Sequence, residues 1–339
     1  MQDPVAGGGP RPTIRSVAER AGVSKSLVSL VLQGSPRVGD ARRRAVLAAV
    51  QELGYRPDPA ARSLAERRTR TVGVLLDDLR NPWFVDLLEG LRPVLRAAGL
   101  RPVLGDTGAE PEAARTFTQL RVDGLVVVGT REDPGAVAQV AEAAAAVPTV
   151  LAGTRDAVHA DVVADDGRAG VRLVVEHLLA LGHRRLAHVA GAGAVGRVRR
   201  AAFEEAAAAA GVSATVVEAD MTEDGGHRAG LRLLSGPHRP TAVLAANDVS
   251  ALGLLAAAGD LGLRVPRDLS VAGYDDTSLA ALRSVSLTSV DNRSHDVGRR
   301  AGELLLARIA DPAAPPRTEL LAPRLAQRRT TAPPPVEGA

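Results

Sequence analysis

Residues 13–32 read TIRSVAERAGVSKSLVSLVL, and this stretch decides the fold of the amino-terminal region. Thr13 can cap a helix whose apolar residues recur at i, i+3, i+4 and i+7, the spacing of one helical face. Gly22 ends this helix, and Ser24 can cap a second one that runs from residue 25 to about residue 32. Two short helices joined by a tight glycine turn predict a helix-turn-helix.

The second helix has a side to bury and a side to expose. At about 100° per residue its valines and Leu32 cluster on one side, which leaves the opposite side to solvent. In a helix-turn-helix, the exposed side and the amino-terminal end of the second helix enter the major groove of DNA. The candidates for contact with base edges are therefore Lys25, Ser26, Ser29 and Leu30.

A third helix, predicted over residues 40–53, completes a small all-helical head. Arg42 and Arg43 at its start are candidates for phosphate contacts, which add affinity without sequence information. Asp58 followed by a proline starts another short helix, whose length of about seven residues is marginal in isolation. We therefore expect residues 58–70 to be a hinge helix and linker that become ordered only when a partner supports them.

Charge is distributed unevenly along the 339 residues, although the net charge is only +3. Residues 1–70 contain 13 basic and 6 acidic residues, so the head is basic and the remainder slightly acidic. This asymmetry supports a polyanion-binding head. The absence of cysteine excludes disulfides and thiolate metal sites. No signal peptide or membrane-spanning run is visible, so we expect a cytoplasmic protein with no membrane partner.

Beyond residue 70, short β-rich runs alternate with amphipathic stretches. This alternation indicates parallel sheets covered on both faces, and about 260 residues suit two doubly wound subdomains with a cleft between them. The Gly- and Pro-rich residues 1–12 and the Pro-rich residues 330–339 are expected to be disordered. The predicted strands are 72–76, 101–104, 125–128, 149–151, 186–189, 214–217, 242–245 and 270–272.

Ligands of doubly wound folds bind outside the carboxyl ends of the strands. A neutral, hydroxyl-rich ligand needs hydrogen-bond donors, acceptors and an aromatic face. Residues of these types follow predicted strands at the expected edge: Trp83, Phe84, Arg199, Asn247 and Asp275. The same residues could serve as loop, cap or packing residues, so the pattern alone leaves both roles open.

An alternative function rests on residues 191–196, which match the GxGxxG pattern of a dinucleotide-binding loop. The motif follows a strand, opens a helix and has Glu218 at a strand end downstream, so an NAD(P)-dependent oxidoreductase is the second hypothesis. Against it, the motif lies in mid-chain, and chance matches are common in a sequence rich in Ala and Gly. No Walker loop, GxSxG or HExxH is present, so we expect no enzyme, no cofactor and no metal.

Several motifs together resemble the LacI/GalR-type family of bacterial transcriptional regulators. In the head these motifs are residues 13–24, 28–32, 53–57 and 61–64, and in the body they are 77–84, 121–125, 177–185, 245–248, 264–268 and 273–276. In that family the short segment after the head is a hinge helix that pairs with its dimer mate and wedges a leucine, matched by Leu64, into the minor groove. The resemblance adds further DNA-contact candidates: Thr13, Ser24, Tyr55 and Arg62.

The same resemblance implies a periplasmic-binding-protein-like core over residues 71–329. Subdomain 1 would cover about 71–163 plus 292–320, and subdomain 2 about 164–291 plus 321–329. Arg199, Asn247 and Asp275 match the ligand-binding Arg, Asn and Asp of the family. The remaining effector candidates by resemblance are Asn292, the wall aromatics Trp83 and Phe84, the motif residues Asp78 and Asn81, and Met221, which stands where the family often has an aromatic.

The resemblance implies a transcriptional regulator, by family default a repressor, whose operator affinity a small molecule controls. The effector would be a sugar or sugar derivative, and a homodimer would bind a pseudo-palindromic operator at the nucleoid. Leu30 departs from the family, which usually has Arg there, so the operator sequence cannot be carried over. The core has no apolar heptad tail, so we expect a dimer without coiled-coil tetramerisation.

Overall fold

The computed structural model describes residues 12–32, 34–56, 68–129, 134–154 and 160–335. The chain divides into two compact units, residues 1–69 and 70–339. Most of the predicted hinge, including Asp58, Arg62 and Leu64, lies outside the described residues, as do residues 1–11 and 336–339 of the two expected disordered ends.

The first unit is a three-helix head built from α1 (Ile14–Ala21), α2 (Lys25–Leu32) and α3 (Asp40–Glu52). Gly22 ends α1 in the left-handed region at φ 65°, where a side chain would be strained, and this makes the tight turn into α2. The helices enclose a small core that is centred on Val17, Val28 and Val46, all fully buried. The predicted helix-turn-helix is confirmed.

The second unit contains two six-stranded sheets. The first, sheet A, has the strand order β11-β5-β4-β3-β1-β2, and all its strands are parallel. Its strands are β1 (Thr71–Leu76), β2 (Arg101–Asp106), β3 (Gly124–Val128), β4 (Thr149–Ala152), β5 (Asp161–Asp165) and β11 (Thr318–Leu321). The helices that pack on this sheet are α4 (Trp83–Ala97), α5 (Ala113–Gln119), α6 (Pro134–Ala146) and α11 (Ser294–Ala310).

The second sheet, sheet B, has the order β12-β10-β9-β8-β6-β7, with β12 antiparallel to β10. Its strands are β6 (Arg185–Ala190), β7 (Ser213–Glu218), β8 (Ala242–Leu244), β9 (Ser270–Tyr274), β10 (Thr288–Asp291) and β12 (Arg324–Ala326). Its helices are α7 (Gly167–Ala180), α8 (Gly193–Ala209), α9 (Glu223–Leu234) and α10 (Asp248–Asp260). Each sheet has apolar clusters on both faces, so the prediction of two doubly wound halves is confirmed.

The chain passes between the two sheets at three places: from β5 to α7, from β10 to α11, and from β11 to β12. These crossovers bring residues from distant parts of the sequence to the cleft between the sheets. In α/β folds a crevice of this kind, outside the carboxyl ends of the strands, is where ligands bind.

The expectation of a disordered tail from residue 330 is wrong for the described residues 330–335. Thr330 is 4% exposed; its carbonyl accepts from Val271 N, and its hydroxyl accepts from Thr288 N at 2.9 Å. Ala332 exchanges hydrogen bonds with the hydroxyl of Ser270 at 3.0 Å in both directions. The segment is ordered because buried polar groups on sheet B would otherwise lack partners.

No helix in the described parts of the chain combines the length and the apolar character that crossing a membrane requires.

Candidate functional site

Helix α2 presents one side to solvent, as the sequence predicted. Lys25 and Ser26 are exposed, Leu30 is 39% exposed and Ser29 is half-buried, while the buried side packs into the head core. The exposed side therefore carries one positive charge, two hydroxyls and an apolar side chain. These groups suit contact with base edges and a thymine methyl in a major groove.

The first turns of α1 and α2 carry hydroxyl caps. The Thr13 hydroxyl accepts from Ser16 N, and the Ser24 hydroxyl accepts from Leu27 N, both at 3.3 Å. A capping hydroxyl can still donate its own proton, and helix amino termini attract anions. Both positions therefore suit a DNA phosphate, and the resemblance makes both of them candidates for DNA contact.

The two arginines predicted to contact phosphates differ in their surroundings. Arg43 is half-buried and donates from Nη2 to the carbonyls of Ser35 at 2.5 Å and Val38 at 3.5 Å. It thereby fastens the loop between α2 and α3. Arg42 is exposed, and Tyr55 is half-buried against the head core. Arg42 therefore keeps its charge available at the surface, whereas Arg43 also has an internal role.

Arg199 is the central cation of the cleft in the second unit. It is 5% exposed, its guanidinium lies 3.5 Å from the centroid of the Tyr274 ring, and Nη1 donates to the carbonyl of Ala246 at 2.8 Å. Nη2 lies 3.6 Å from Oδ1 of Asp275. Its buried Nε has no hydrogen-bond partner in the described structure. A buried donor without an acceptor is uncommon and requires an explanation.

A chain of hydrogen bonds connects three predicted site residues. Nδ2 of Asn292 donates to Oδ1 of Asp275 at 2.9 Å, and Oδ1 of Asn292 accepts from Nε1 of Trp83 at 3.0 Å. Burial raises the pKa of Asp275 well above its usual value, against the opposing effect of Arg199. The structure thus brings Trp83, Arg199, Asp275 and Asn292 into one buried cluster.

Two further residues complete this cluster. The Tyr274 hydroxyl donates to Oδ2 of Asp165 at 2.5 Å, and Tyr274 is fully buried beneath Arg199. Sequence reasoning did not single out either residue. Asp165 ends β5, a strand that was not predicted, whereas Tyr274 is one of only two tyrosines and directly precedes Asp275 in the chain. Its position beside a candidate ligand residue was the signal that could have found it.

Asn247 and Met221 form a second part of the site. Oδ1 of Asn247 caps α10 by accepting from Ser250 N at 2.8 Å, and Nδ2 donates to the carbonyl of Met221 at 3.2 Å. The Met221 side chain lies so close to Gly191 that a Cβ there would collide with it. Asn247 therefore acts as a cap in this structure, one of the two roles that its position in the sequence left open.

The three remaining effector candidates are grouped at the start of α4. Phe84 is buried and packs edge-on against Trp83, with ring centroids 5.2 Å apart. Oδ1 of Asn81 accepts from Trp83 N at 3.0 Å, and Asp78 pairs with Arg80 at 2.8 Å. Asn81 is thus joined to the buried cluster through Trp83, whereas Asp78 pairs with an exposed arginine. These contacts fix the first turn of α4 and the position of the Trp83 ring.

A cavity of about 40 Å³ adjoins Arg199 and is lined by residues from the halves that contain sheet A and sheet B. Trp83 limits its size on one side, because its ring occupies the space beside Gly153, where a Cβ would come within 2.5 Å of the indole. The lining consists mainly of small residues and includes one acid and one base: Gly153, Thr154, Ala164, Asp165, Gly167, Ala194, Val195, Val198 and Arg199. This lining offers both polar and apolar surfaces to a small ligand.

The glycines of the GxGxxG motif serve packing in this structure. A Cβ at Gly196 would collide with the carbonyl of Gly191, and Gly191 itself lies against the side chain of Met221. Glu218, the acidic residue of the dinucleotide-binding pattern, forms an ion pair with Arg200 at 2.6 Å. Among the described residues, no group of three or more His, Cys, Asp or Glu is arranged to hold a metal ion.

Two family models match the chain. The model for bacterial regulatory proteins of the lacI family matches residues 13–58, and the model for a periplasmic binding protein-like domain matches residues 175–331. The HTH-type transcriptional repressor PurR of Klebsiella pneumoniae (strain 342) is 34% identical over 331 residues, which are 94% of this chain and 97% of that protein.

Solved structures are similar over nearly the whole chain. The lac repressor dimer bound to operator and the anti-inducer ONPF has a TM-score of 0.85 and 30% identity, covering 95% of this chain and 99% of that one. The transcriptional regulator CelR in complex with cellobiose has a TM-score of 0.71 and 32% identity, covering 94% of this chain and all of that one (100%). The relatives are regulators that bind DNA or small ligands and are not enzymes.

Proposed function

The chain belongs to the lacI family of bacterial regulatory proteins, and from this premise we propose how it binds DNA and which class of effector controls it. It is a transcriptional repressor and not an enzyme, so the oxidoreductase alternative is abandoned. Operator affinity is controlled by a small molecule in the cleft next to Arg199. The protein acts in the cytoplasm, where its DNA is, and we extend this proposal to association with the nucleoid.

The DNA-binding surface that we propose consists of the exposed side of α2 and the basic residues around it. Lys25, Ser26, Ser29 and Leu30 contact base edges, and Thr13, Ser24, Arg42 and Arg43 contact phosphates. Two heads of a homodimer bind the halves of a pseudo-palindromic operator. The similar lac repressor is a dimer bound to its operator, which supports this part of the proposal. Arg62 and Leu64 of the hinge act in the minor groove between them, with Tyr55 supporting the head.

The effector that we propose is a neutral, hydroxyl-rich small molecule, a sugar or sugar derivative. The observation that carries this proposal is the buried Nε of Arg199, a donor without an acceptor at the wall of the cavity. Asp165 and Asp275 surround the guanidinium, so an anionic ligand would meet two carboxyl groups, whereas hydroxyls could donate to them. The cellobiose of the CelR complex belongs to this chemical class.

Effector binding is coupled to DNA binding through the relative position of the two sheets. A ligand that contacts residues from both sheets binds one arrangement more tightly and shifts the population toward it. The coupling is reciprocal, so the operator changes the affinity for the effector by the same factor. We keep the boundaries of the two subdomains, about residues 71–163 plus 292–320 and 164–291 plus 321–329, as part of this proposal.

A ligand screen on matched variants tests this proposal. The full-length protein is screened by thermal shift against cellobiose, ribose and a panel of further sugars and sugar phosphates. A saturating ligand at 100 times its Kd stabilises a protein by about 2.7 kcal/mol. Arg199→Ala should lose the shift caused by the best ligand while still binding operator DNA.

The control variant is Arg200→Ala on the same helix, whose side chain pairs with Glu204 and Glu218 at the surface. It should keep both the ligand shift and operator binding. If neutral sugars give no shift and only sugar phosphates do, the proposed effector class is wrong. If Arg199→Ala loses operator binding together with the ligand shift, Arg199 has a structural role.

A further inference from the structure

A buried carboxyl group that does not face the cavity lies directly behind the candidate effector site. Asp248 is the first residue of α10 and is fully buried. Its Oδ2 accepts from the backbone N of Thr277 at 2.7 Å and from the hydroxyl of Thr277 at 2.9 Å. Its Oδ1 accepts from the Ser289 hydroxyl at 2.5 Å. The side chain therefore binds a turn and a neighbouring strand at once.

The turn that Asp248 binds has an unusual backbone. Asp275 and Asp276 have φ values of 110° and 51°, in the left-handed region that residues other than glycine rarely adopt. Such conformations cost free energy and persist only where the surroundings determine them. Asp276 N donates to the Ser289 hydroxyl at 3.1 Å, and the Asp276 carboxyl pairs with Arg328 at 2.6 Å.

The same turn determines where Asp275 points. From this conformation its carboxyl accepts from Asn292 and lies 3.6 Å from Arg199. An extended backbone at this residue would direct the side chain elsewhere. Whatever fastens the turn therefore also places the carboxyl group that we assign to the effector.

We propose that Asp248 is a positioning residue of the effector site, which holds the turn 275–277 in the conformation that places Asp275 against Arg199 and Asn292. The assignment rests on the proposed role of Asp275 in effector binding. It predicts that the charge of Asp248 controls the site, because hydrogen bonds to an ionised acceptor are about twice as strong as neutral ones.

Asp248 titrates in a range that experiments can reach. Burial raises its pKa to about 6, opposed by the hydrogen bonds from Ser289 and Thr277. The charged groups that face it come from the turn, namely Asp276 and Asp275. Among the described residues that pack against it, β9 contributes the backbone of Gly273 and β10 the hydroxyl of Ser289.

The fluorescence of one side chain can report on the conformation of this turn. Trp83 is the single tryptophan of the chain, and its indole is hydrogen-bonded to Asn292, which in turn is bonded to Asp275. Loosening of the turn when Asp248 is protonated therefore changes the environment of the indole. No effector is needed for this measurement.

The experiment is a pH titration of tryptophan fluorescence on the full-length protein between pH 5 and pH 8. The expected result is a transition with a midpoint close to the Asp248 pKa of about 6. Ser289→Ala removes a donor that lowers this pKa, so the midpoint should move upward by roughly half to one pH unit, the equivalent of one hydrogen bond. Asp248→Asn should abolish the transition.

The matched control is Asp268→Asn, which removes a carboxyl group whose ion pair with Arg264 holds its pKa at about 2. It should leave the midpoint unchanged. Asp86 lies on α4 three residues after the reporter, and burial raises its pKa, so it is the rival source of a transition. A signal from Asp86 would persist in Asp248→Asn and keep its midpoint in Ser289→Ala.

Either of those results overturns the assignment, as does the absence of any transition in the unmodified protein. If Asp248→Asn does not fold, the test rests on the titration midpoint of Ser289→Ala alone. A hydroxyl with a purely structural role would not move that midpoint. The measurement also separates this inference from the proposed function. A failed sugar screen together with the expected titration would reject the effector class and retain the role of Asp248.

Discussion

Nε1 of Trp83 donates a hydrogen bond to Oδ1 of Asn292 at 3.0 Å, although the two residues are 209 positions apart in the sequence. Trp83 begins α4, which packs in the apolar cluster on sheet A, whereas Asn292 follows β10 of sheet B at a crossover. Asn292 also donates to Asp275 on the sheet B side of the cleft. A ligand that takes over the Asp275 oxygen therefore alters a contact between the two sheets.

We expect this bond to contribute measurably to the stability of the second unit. Trp83→Phe keeps a ring and removes the donor, which leaves a buried amide oxygen without a partner at a cost of about 1–3 kcal/mol. A double-mutant cycle with Asn292→Ala, followed by urea unfolding monitored by circular dichroism, isolates the pair. A coupling energy above ~0.5 kcal/mol is expected, and additivity within that margin would show that the bond contributes nothing.

Alanine variants of the two arginines at the start of α3 should differ in their effects on DNA binding and on stability. Arg42→Ala removes an exposed charge, so it should reduce the salt dependence of binding to a random-sequence duplex by a slope of about 1 and leave stability unchanged. Arg43→Ala removes the donor to the Ser35 and Val38 carbonyls, and should lower the free energy of unfolding of the head by about 1–2 kcal/mol.

Thermal unfolding and salt-dependent fluorescence anisotropy measure the two effects on the same pair of variants. Equal stability of the two variants would reject the internal role of Arg43. An unchanged salt slope in Arg42→Ala would remove Arg42 from the phosphate-binding set.

Local signals in the sequence were sufficient for the head and for the major strands. Thr13, Gly22 and Ser24 determine helix ends by contacts within three to five residues, which is why α1 and α2 were predicted close to their observed bounds. The buried strands of each sheet are short apolar runs between turn signals, which the sequence pattern can indicate. The short strands β5, β10, β11 and β12, of three to five residues each, were missed because such runs carry little periodic signal.

The individual residues of the site could be predicted from the sequence, but the hydrogen bonds between them could not. Sequence position indicated Arg199, Asp275 and Asn292, yet their hydrogen bonds depend on the left-handed turn at Asp275 and on a tyrosine beneath the guanidinium. The tail was misjudged for the same reason. Its proline-rich composition is typical of disorder, whereas its order comes from partners that are up to 154 positions away, such as His177 and His183.

Removal of the tail should therefore destabilise the core. Truncation after Arg329 leaves the backbone N–H groups of Val271 and Thr288 without their acceptors on Thr330. Each buried donor without a partner costs about 1–3 kcal/mol, so a loss of at least ~2 kcal/mol is expected in urea unfolding. Truncation after Pro335 keeps these bonds and is the control. Equal stability of the two truncated proteins would show that residues 330–335 do not stabilise the core.

The histidine at the centre of β6 predicts a loss of stability in acid. His188 is 1% exposed, its Nδ1 is bonded to the carbonyl of Leu244 at 3.0 Å, and burial lowers its pKa to about 4. The unfolded chain binds this proton at its ordinary pKa of about 6.5, whereas the folded protein does so only near 4. The stability contribution of neutral His188 is therefore complete above about pH 6.5 and is lost as the pH falls toward 4.

His188→Asn measures this contribution, since the amide can donate to Leu244 but does not titrate. Between pH 7 and pH 4.5 the unmodified protein should lose roughly 2–3 kcal/mol more free energy of unfolding than the variant. The raised pKa of Asp248 acts in the opposite sense, because it adds stability as the pH falls through about 6. Both proteins contain Asp248, so its contribution cancels when their free energies of unfolding are subtracted. Parallel stability curves for the two proteins would mean that His188 accepts its proton in the folded state as readily as in the unfolded chain.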